Sequence, residues 1–197
     1  HARTTQDPPM LTTTFAATLA SIALLLAPPP ATPPATDAPR IPAAVFVTEK
    51  PKDAKCVSEV KKSAKKGDTV VFTATVGGRA EPFVKTRAIF MVADRCLKAC
   101  NQNPEENCAT PWDYCCEPPE SKKANMLTVQ FTGDDGKPLK VGARSAGGLE
   151  PLAQIVVEGV VAEADDKGTF IVTARKVFVE KPAKAADGGA APARKPD

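Results

Sequence analysis

Across "TVVFTATV" (69–76), Val70, Phe72, Ala74 and Val76 alternate with Val71, Thr73 and Thr75. A period of two marks a strand with one buried face. Gly77 and Gly78 then predict a turn. "RAIFMVAD" (87–94) is apolar on both faces, as a strand covered on both sides would be. "MLTVQFT" (126–132) returns to alternation, with Leu127, Val129 and Phe131 inward and "DDGKP" (134–138) as the following turn. The runs 153–164 and 168–181 flank an Asp-Asp-Lys turn and carry the clearest hairpin signal. Ahead of the first strand, 53–68 predicts a short helix capped by Asp53 and stopped by Gly67, with its lysines as the solvated face. Between 133 and 152, "SAGGLEPL" is enough for one helical turn.

The flanks have a different character. "FAATLASIALLLA" (Phe15 to Ala27) is a 13-residue uncharged apolar run. That is short for a membrane span and suited to the apolar core of a secretory leader, so residues 1–31 are assigned as a signal-peptide region with Met10 as the candidate start. The leader lacks a basic residue directly before the run and a clean Ala-x-Ala cleavage site. An uncleaved leader is therefore the variant to consider, and the sole membrane association expected. Residues 32–50 are Pro-rich and predict an extended tether. A domain is expected over 51–181, and the tail 182–197 lacks apolar periodicity and should be disordered. The protein is thus expected in the periplasm or outside the cell.

Charge removes one class of partner. Excluding the first 40 residues and those from Lys181 onward, 20 basic residues face 19 acidic ones. Domains that bind nucleic acid through phosphates are usually strongly basic, so nucleic acid is not expected.

Five strands in this order, with an excursion between the third and fourth, resemble the OB-fold, a five-stranded Greek-key barrel. The likeness covers Asp68 to about Lys181, on "GDTVVFTATVGG", "RAIFMVAD", "LTVQFT", "IVVEGVV" and "TFIVTARKVFV". Gly159 inside the fourth strand suits a sharp bend, because it relieves crowding there. A sandwich of similar strand count is the alternative. The chain also resembles a group of exported bacterial proteins, without an assigned activity, that carry a TPWDYCCEP motif, here Thr110 to Pro118. That resemblance implies export and a shared domain, and supplies no catalytic residue. Some periplasmic OB proteins attach haem through a histidine; the sole histidine here is His1, upstream of the candidate start and of the apolar run, so no haem or other cofactor is expected.

The distinctive chemistry is cysteine. Cys56 stands alone, whereas Cys96, Cys100, Cys108, Cys115 and Cys116 fall within a loop expected as an insertion, 95–125, between the second and third strands. A long loop without regular structure needs a function or a fastening. In an oxidising compartment six cysteines become bridges by default. Five is odd, so full pairing requires Cys56 to clamp the segment before the first strand onto the loop. Excluding a Cys115–Cys116 ring and a helical Cys96–Cys100 bridge leaves ten of fifteen connectivities. Each bridge contributes about 2–4 kcal/mol. The competing expectation is a thiol-redox or metal site, for which Cys96, Cys100, Cys108 and Cys115 could supply four thiolates. Against it stand the missing C-x-x-C pair and the missing histidine.

Trp112 and Tyr114, the only Trp and Tyr, are expected to cover the bridges or to contact a partner. Glu105, Glu106, Asp113 and Glu117 make the loop acidic without any calcium-loop consensus, so no metal is assigned to them. With no histidine after the leader, neither a Ser-His nor a Cys-His pair can be assembled. The sum is an exported, non-enzymatic binding or structural module. Its expected partner is a protein or saccharide of the cell envelope.

Overall fold

The computed structural model describes residues 40–102 and 108–181. The expected leader, residues 32–39 of the tether and the tail lie outside these. Among the described residues no helix is long and apolar enough to cross a membrane.

The architecture is mostly strand. A two-residue strand β1 (Lys55–Cys56) leads directly into helix α1 (Val57–Ser63). Then come β2 (Thr69–Val76), β3 (Ile89–Asp94), helix α2 (Pro119–Asn125), β4 (Met126–Gln130), β5 (Gln154–Ala164) and β6 (Phe170–Lys181). The pairings run β2-β3-β4-β6-β5 and return to β2, closing a five-stranded barrel. Within it every pair is antiparallel except β4 with β6, and β1 joins outside as a parallel neighbour of β2.

The alternation in β2 translates directly into burial: Val70, Phe72, Ala74 and Val76 point into the core. Leu127, Val129 and Phe131 do the same from β4 and its exit. β5 and β6 are joined by the expected tight turn, in which Asp165 N–H donates to Thr169 O at 3.0 Å. Gly159 lies at a register shift of the β5–β6 pair. A Cβ there would stand 2.4 Å from the Thr173 carbonyl oxygen, so the close strand crossing needs glycine. The "SAGGLEPL" stretch forms a three-residue 3-10 turn, Ala146–Gly148.

Three features differ from expectation. The helix begins at Cys56 as cap and not at Asp53, whose backbone is left-handed (φ 58°). Glu59 reaches back to accept from Cys56 N–H at 3.2 Å, the reciprocal half of a capping box. The helix also ends at Ser63, four residues before Gly67. Second, the stretch expected to lack regular structure contains α2, opened by Pro119 in its first turn and closed by Lys122 and Lys123 in its last. Third, inside the expected tether, Ile41, Val45 and Phe46 pack on the core, and Val47 N–H donates to Val177 O at 3.0 Å.

Two apolar clusters result. The larger fills the barrel, and α1 contributes Val57 and Val60 to it. The smaller gathers Ala93, Ala99, Tyr114 and Met126 beneath the cysteine segment. That segment therefore has a core of its own.

Candidate functional site

Residues 95–125 join β3 to β4, and their attachment starts from a buried carboxylate. Asp94, the last residue of β3, is the one buried charged residue among those described. Its Oδ2 accepts from Ser58 N–H at 2.9 Å and its Oδ1 from Cys96 N–H at 3.0 Å. One acid thus ties the first turn of α1 to the start of the cysteine segment. The consequence is a meeting of sulfurs: Cys56 Sγ lies 3.6 Å from Cys96 Sγ. The next residue, Arg95, extends the other way, pairing with Glu180 and donating to Gln154 Oε1 at 3.0 Å. Lys50 also donates to Glu180, and with Arg95 it holds that carboxyl below the usual range.

The middle of the segment is docked by its backbone and its aromatic pair. Gly78 N–H donates to the Trp112 carbonyl at 2.7 Å, and Trp112 Nε1–H donates to Ala80 O at 2.9 Å. Trp112 is half-buried. Tyr114 is 1% exposed, the largest fully buried side chain among the described residues. Burial pushes its phenol up to about 12, against the opposing pull of a hydrogen bond with Thr75. Its backbone is left-handed (φ 53°), unusual and costly for a bulky residue. The strain turns the chain so that the ring enters the small core while Cys115 and Cys116 stay at the surface.

Around that turn the remaining thiols gather. Cys115 Sγ lies 3.8 Å from Cys100, 3.5 Å from Cys108 and 3.7 Å from Cys116. All four ligand atoms fall within 4.8 Å of one another. Cys100 is buried, Cys108 half-buried, and Cys115 and Cys116 are exposed. These separations, like the 3.6 Å between Cys56 and Cys96, exceed the ~2.05 Å of a disulfide bond, so the six cysteines expected to be bridged are neighbours and not bonded pairs in this structure. The six cysteines therefore divide into a pair, Cys56 and Cys96, which lie close to Asp94, and a quartet. Of the four thiols weighed from sequence for a metal, Cys100, Cys108 and Cys115 come together; Cys96 joins the other group and Cys116 takes the fourth place.

One thiol of each group has a raised proton affinity. Contact with the Cys115 thiol, then with Cys100, pushes Cys108 up to about 12. Contact with Cys96, then burial and the Asp94 carboxylate, pushes Cys56 up to about 11. A thiol raised in this way holds its proton unless a cation replaces it.

The acidic residues of the segment serve locally. Asp113 accepts from Thr110 Oγ1 at 2.8 Å and from Cys115 N–H at 2.9 Å, which shapes the turn leading into the quartet. Glu117 accepts from Ser121 Oγ at 2.6 Å, on the first turns of α2. Glu105 and Glu106 lie outside the described residues. Between β1, α1 and the start of β2, a groove of about 450 Å³ is lined by Asp53, Lys55, Ser63 and Asp68. Compared with known proteins, the chain matches no family model and no curated protein sequence.

Proposed function

We propose that this chain is an exported, non-enzymatic binding or structural module: an OB-like barrel that presents the cysteine-fastened segment 95–125, inserted between its second and third strands, to a protein or saccharide of the cell envelope. The single observation that carries the reading is the docking of that segment. Its main chain and indole are held by Gly78 and Ala80, and its tyrosine is buried beneath it. A loop fixed in this way offers a constant shape, which lowers the ordering cost of binding. Asp94 supports a structural role for the buried charge, because both its oxygens accept main-chain amides.

The OB-like assignment is supported by strand order. β5 lies beside β2, so the sequence across the sheet is β5-β2-β3-β4, with all three pairs antiparallel. That is the order of a Greek key. OB barrels commonly bind on the face and loops of their middle strands, where this segment emerges. The apolar run 15–27 is the basis for export, and the TPWDYCCEP stretch for a shared domain among exported bacterial proteins. The pair Cys56 and Cys96 is the bridge we assign between the segment before the barrel and the loop.

The test is a photo-crosslinking residue in place of the exposed Ala109, three residues before Trp112, in the full-length protein in its own cells, after fractionation of the envelope. A discrete adduct in the envelope fraction, competed away by excess unlabelled wild-type protein but not by Trp112→Ala, is expected. Residence in the cytoplasm, or adducts that the Trp112→Ala protein competes for equally, would overturn the reading.

A further inference from the structure

We infer that Cys100, Cys108, Cys115 and Cys116 form a mononuclear tetrathiolate site for zinc. The inference concerns sulfurs that the partner-binding reading leaves unused, and it stands or falls independently of that reading.

The first argument is the number of neighbours. A disulfide gives each sulfur one partner, yet Cys115 Sγ has three, at 3.8, 3.5 and 3.7 Å. Four ligands around one ion give each sulfur three neighbours. The second argument is length. With Zn–S about 2.3 Å, the edge of a regular tetrahedron is about 3.8 Å. The three named separations lie at that value or just under it, and the remaining ones do not exceed 4.8 Å.

Polynuclear iron–sulfur centres place several irons and sulfides between their cysteines, so they hold them farther apart than a single ion does. A set of four thiolates closing on one point suits zinc in tetrahedral geometry. Binding replaces the thiol protons, so four protons leave as one zinc ion enters when all four cysteines start as thiols.

The surroundings are built for such a site. Asp113 accepts from the Cys115 amide, which fixes the turn that carries the adjacent cysteines. Cys100 N–H donates to Pro111 O at 3.0 Å, binding the first ligand to the strand of chain that carries the last two. The left-handed Tyr114 is placed directly before those two. Strain of this kind persists where the surrounding structure over-determines it, and it clusters at functional sites. With its ring anchored in the small core, Tyr114 orients the Cys115–Cys116 pair that follows it.

The experiment measures bound metal on full-length protein purified without chelator or affinity histidines. One zinc per chain is expected. In the wild type, replacement by cobalt should give the ligand-field bands and intense thiolate charge transfer of a tetrahedral sulfur site. Loss of a ligand should cost at least the roughly 10–100-fold in affinity that loss of a supporting group costs. Cys100→Ser and Cys115→Ser should therefore release zinc to a competing chelator, while Cys96→Ser should retain it. Wild-type protein without metal whose four cysteines are bridged would overturn the site, as would stoichiometric iron or copper in place of zinc. Zinc retained equally by Cys100→Ser and Cys115→Ser would do so as well. The wild-type measurements decide the matter even where a variant fails to fold, and none of them involves the envelope partner.

Discussion

The carbonyl oxygen of Trp112 lies so close over Gly77 that a Cβ at Gly77 would stand 2.4 Å from it. The same Cβ would be 3.1 Å from the Tyr114 ring. The end of the first barrel strand and the middle of the cysteine segment therefore approach at a distance that only glycine permits. Gly77→Ala must push the segment outward or bend β2, and overpacking of this kind costs about 1–3 kcal/mol. Chemical denaturation is expected to show that loss, with Trp112 fluorescence altered in the folded state. An unchanged midpoint and an unchanged spectrum would contradict the close approach.

Asp94 gives a second prediction, because its two acceptors face two amide donors. Asp94→Asn keeps the shape but turns an NH2 group toward one of those N–H groups. Leaving a buried donor unmatched costs about 1–3 kcal/mol, so the variant should unfold at correspondingly lower denaturant. A change of only a few tenths would mean that the carboxylate does not join α1 to the segment.

Tyr114 predicts a pH dependence with a definite sign. Its phenol is raised from 10.0 to about 12 by burial, so the folded state holds the proton after the unfolded state has lost it. The associated stability is fully present below pH 10 and is lost as pH rises toward 12. Two units correspond to a loss on the order of 3 kcal/mol. As the chain has one Tyr, ultraviolet titration reads it directly. Little ionisation is expected at pH 10 while the protein is folded. A midpoint near 10 in folded protein would place the ring in solvent.

Gly159 tests the close crossing of β5 and β6. A Cβ there would meet the Thr173 carbonyl at 2.4 Å and Val172 Cγ1 at 2.7 Å. Gly159→Ala should strain the β5–β6 pair and lower stability by about 1–3 kcal/mol. A neutral result would show that the register shift beside it absorbs the added methyl.

The barrel strands were readable because one-sided burial imposes a period of two, as Val70 to Val76 and Leu127 to Phe131 show. The bend at Gly159 was readable for a related reason: a glycine amid β-branched residues marks a crowded crossing. Closure into a five-stranded barrel was expected from the OB resemblance and is found through β2 and β5, although no local pattern encodes which strands meet. β1 is two residues long and leaves no periodicity. The cap at Cys56 carried a usable signal in Cys56-Val-Ser-Glu59, which has the spacing of a capping box with cysteine in the place of serine. α2 carried one as well, in Pro119 followed by Glu120 and then two lysines.

At the candidate site, sequence identified the six cysteines, but their division into pair and quartet is tertiary. The spacing C-x7-C-x6-C-C matches no familiar ligand pattern. Asp94 sets the pair and the turn at Tyr114 sets the quartet. Neither is visible until β3 and α1 are folded together.

The division itself can be counted. Full-length protein from an oxidising compartment would be unfolded without reductant in the presence of a chelator, alkylated and weighed intact. Four alkylated cysteines are expected, mapping to Cys100, Cys108, Cys115 and Cys116, with Cys56 and Cys96 joined and unmodified. A chain with no alkylated cysteine, or with all six alkylated, would contradict the division.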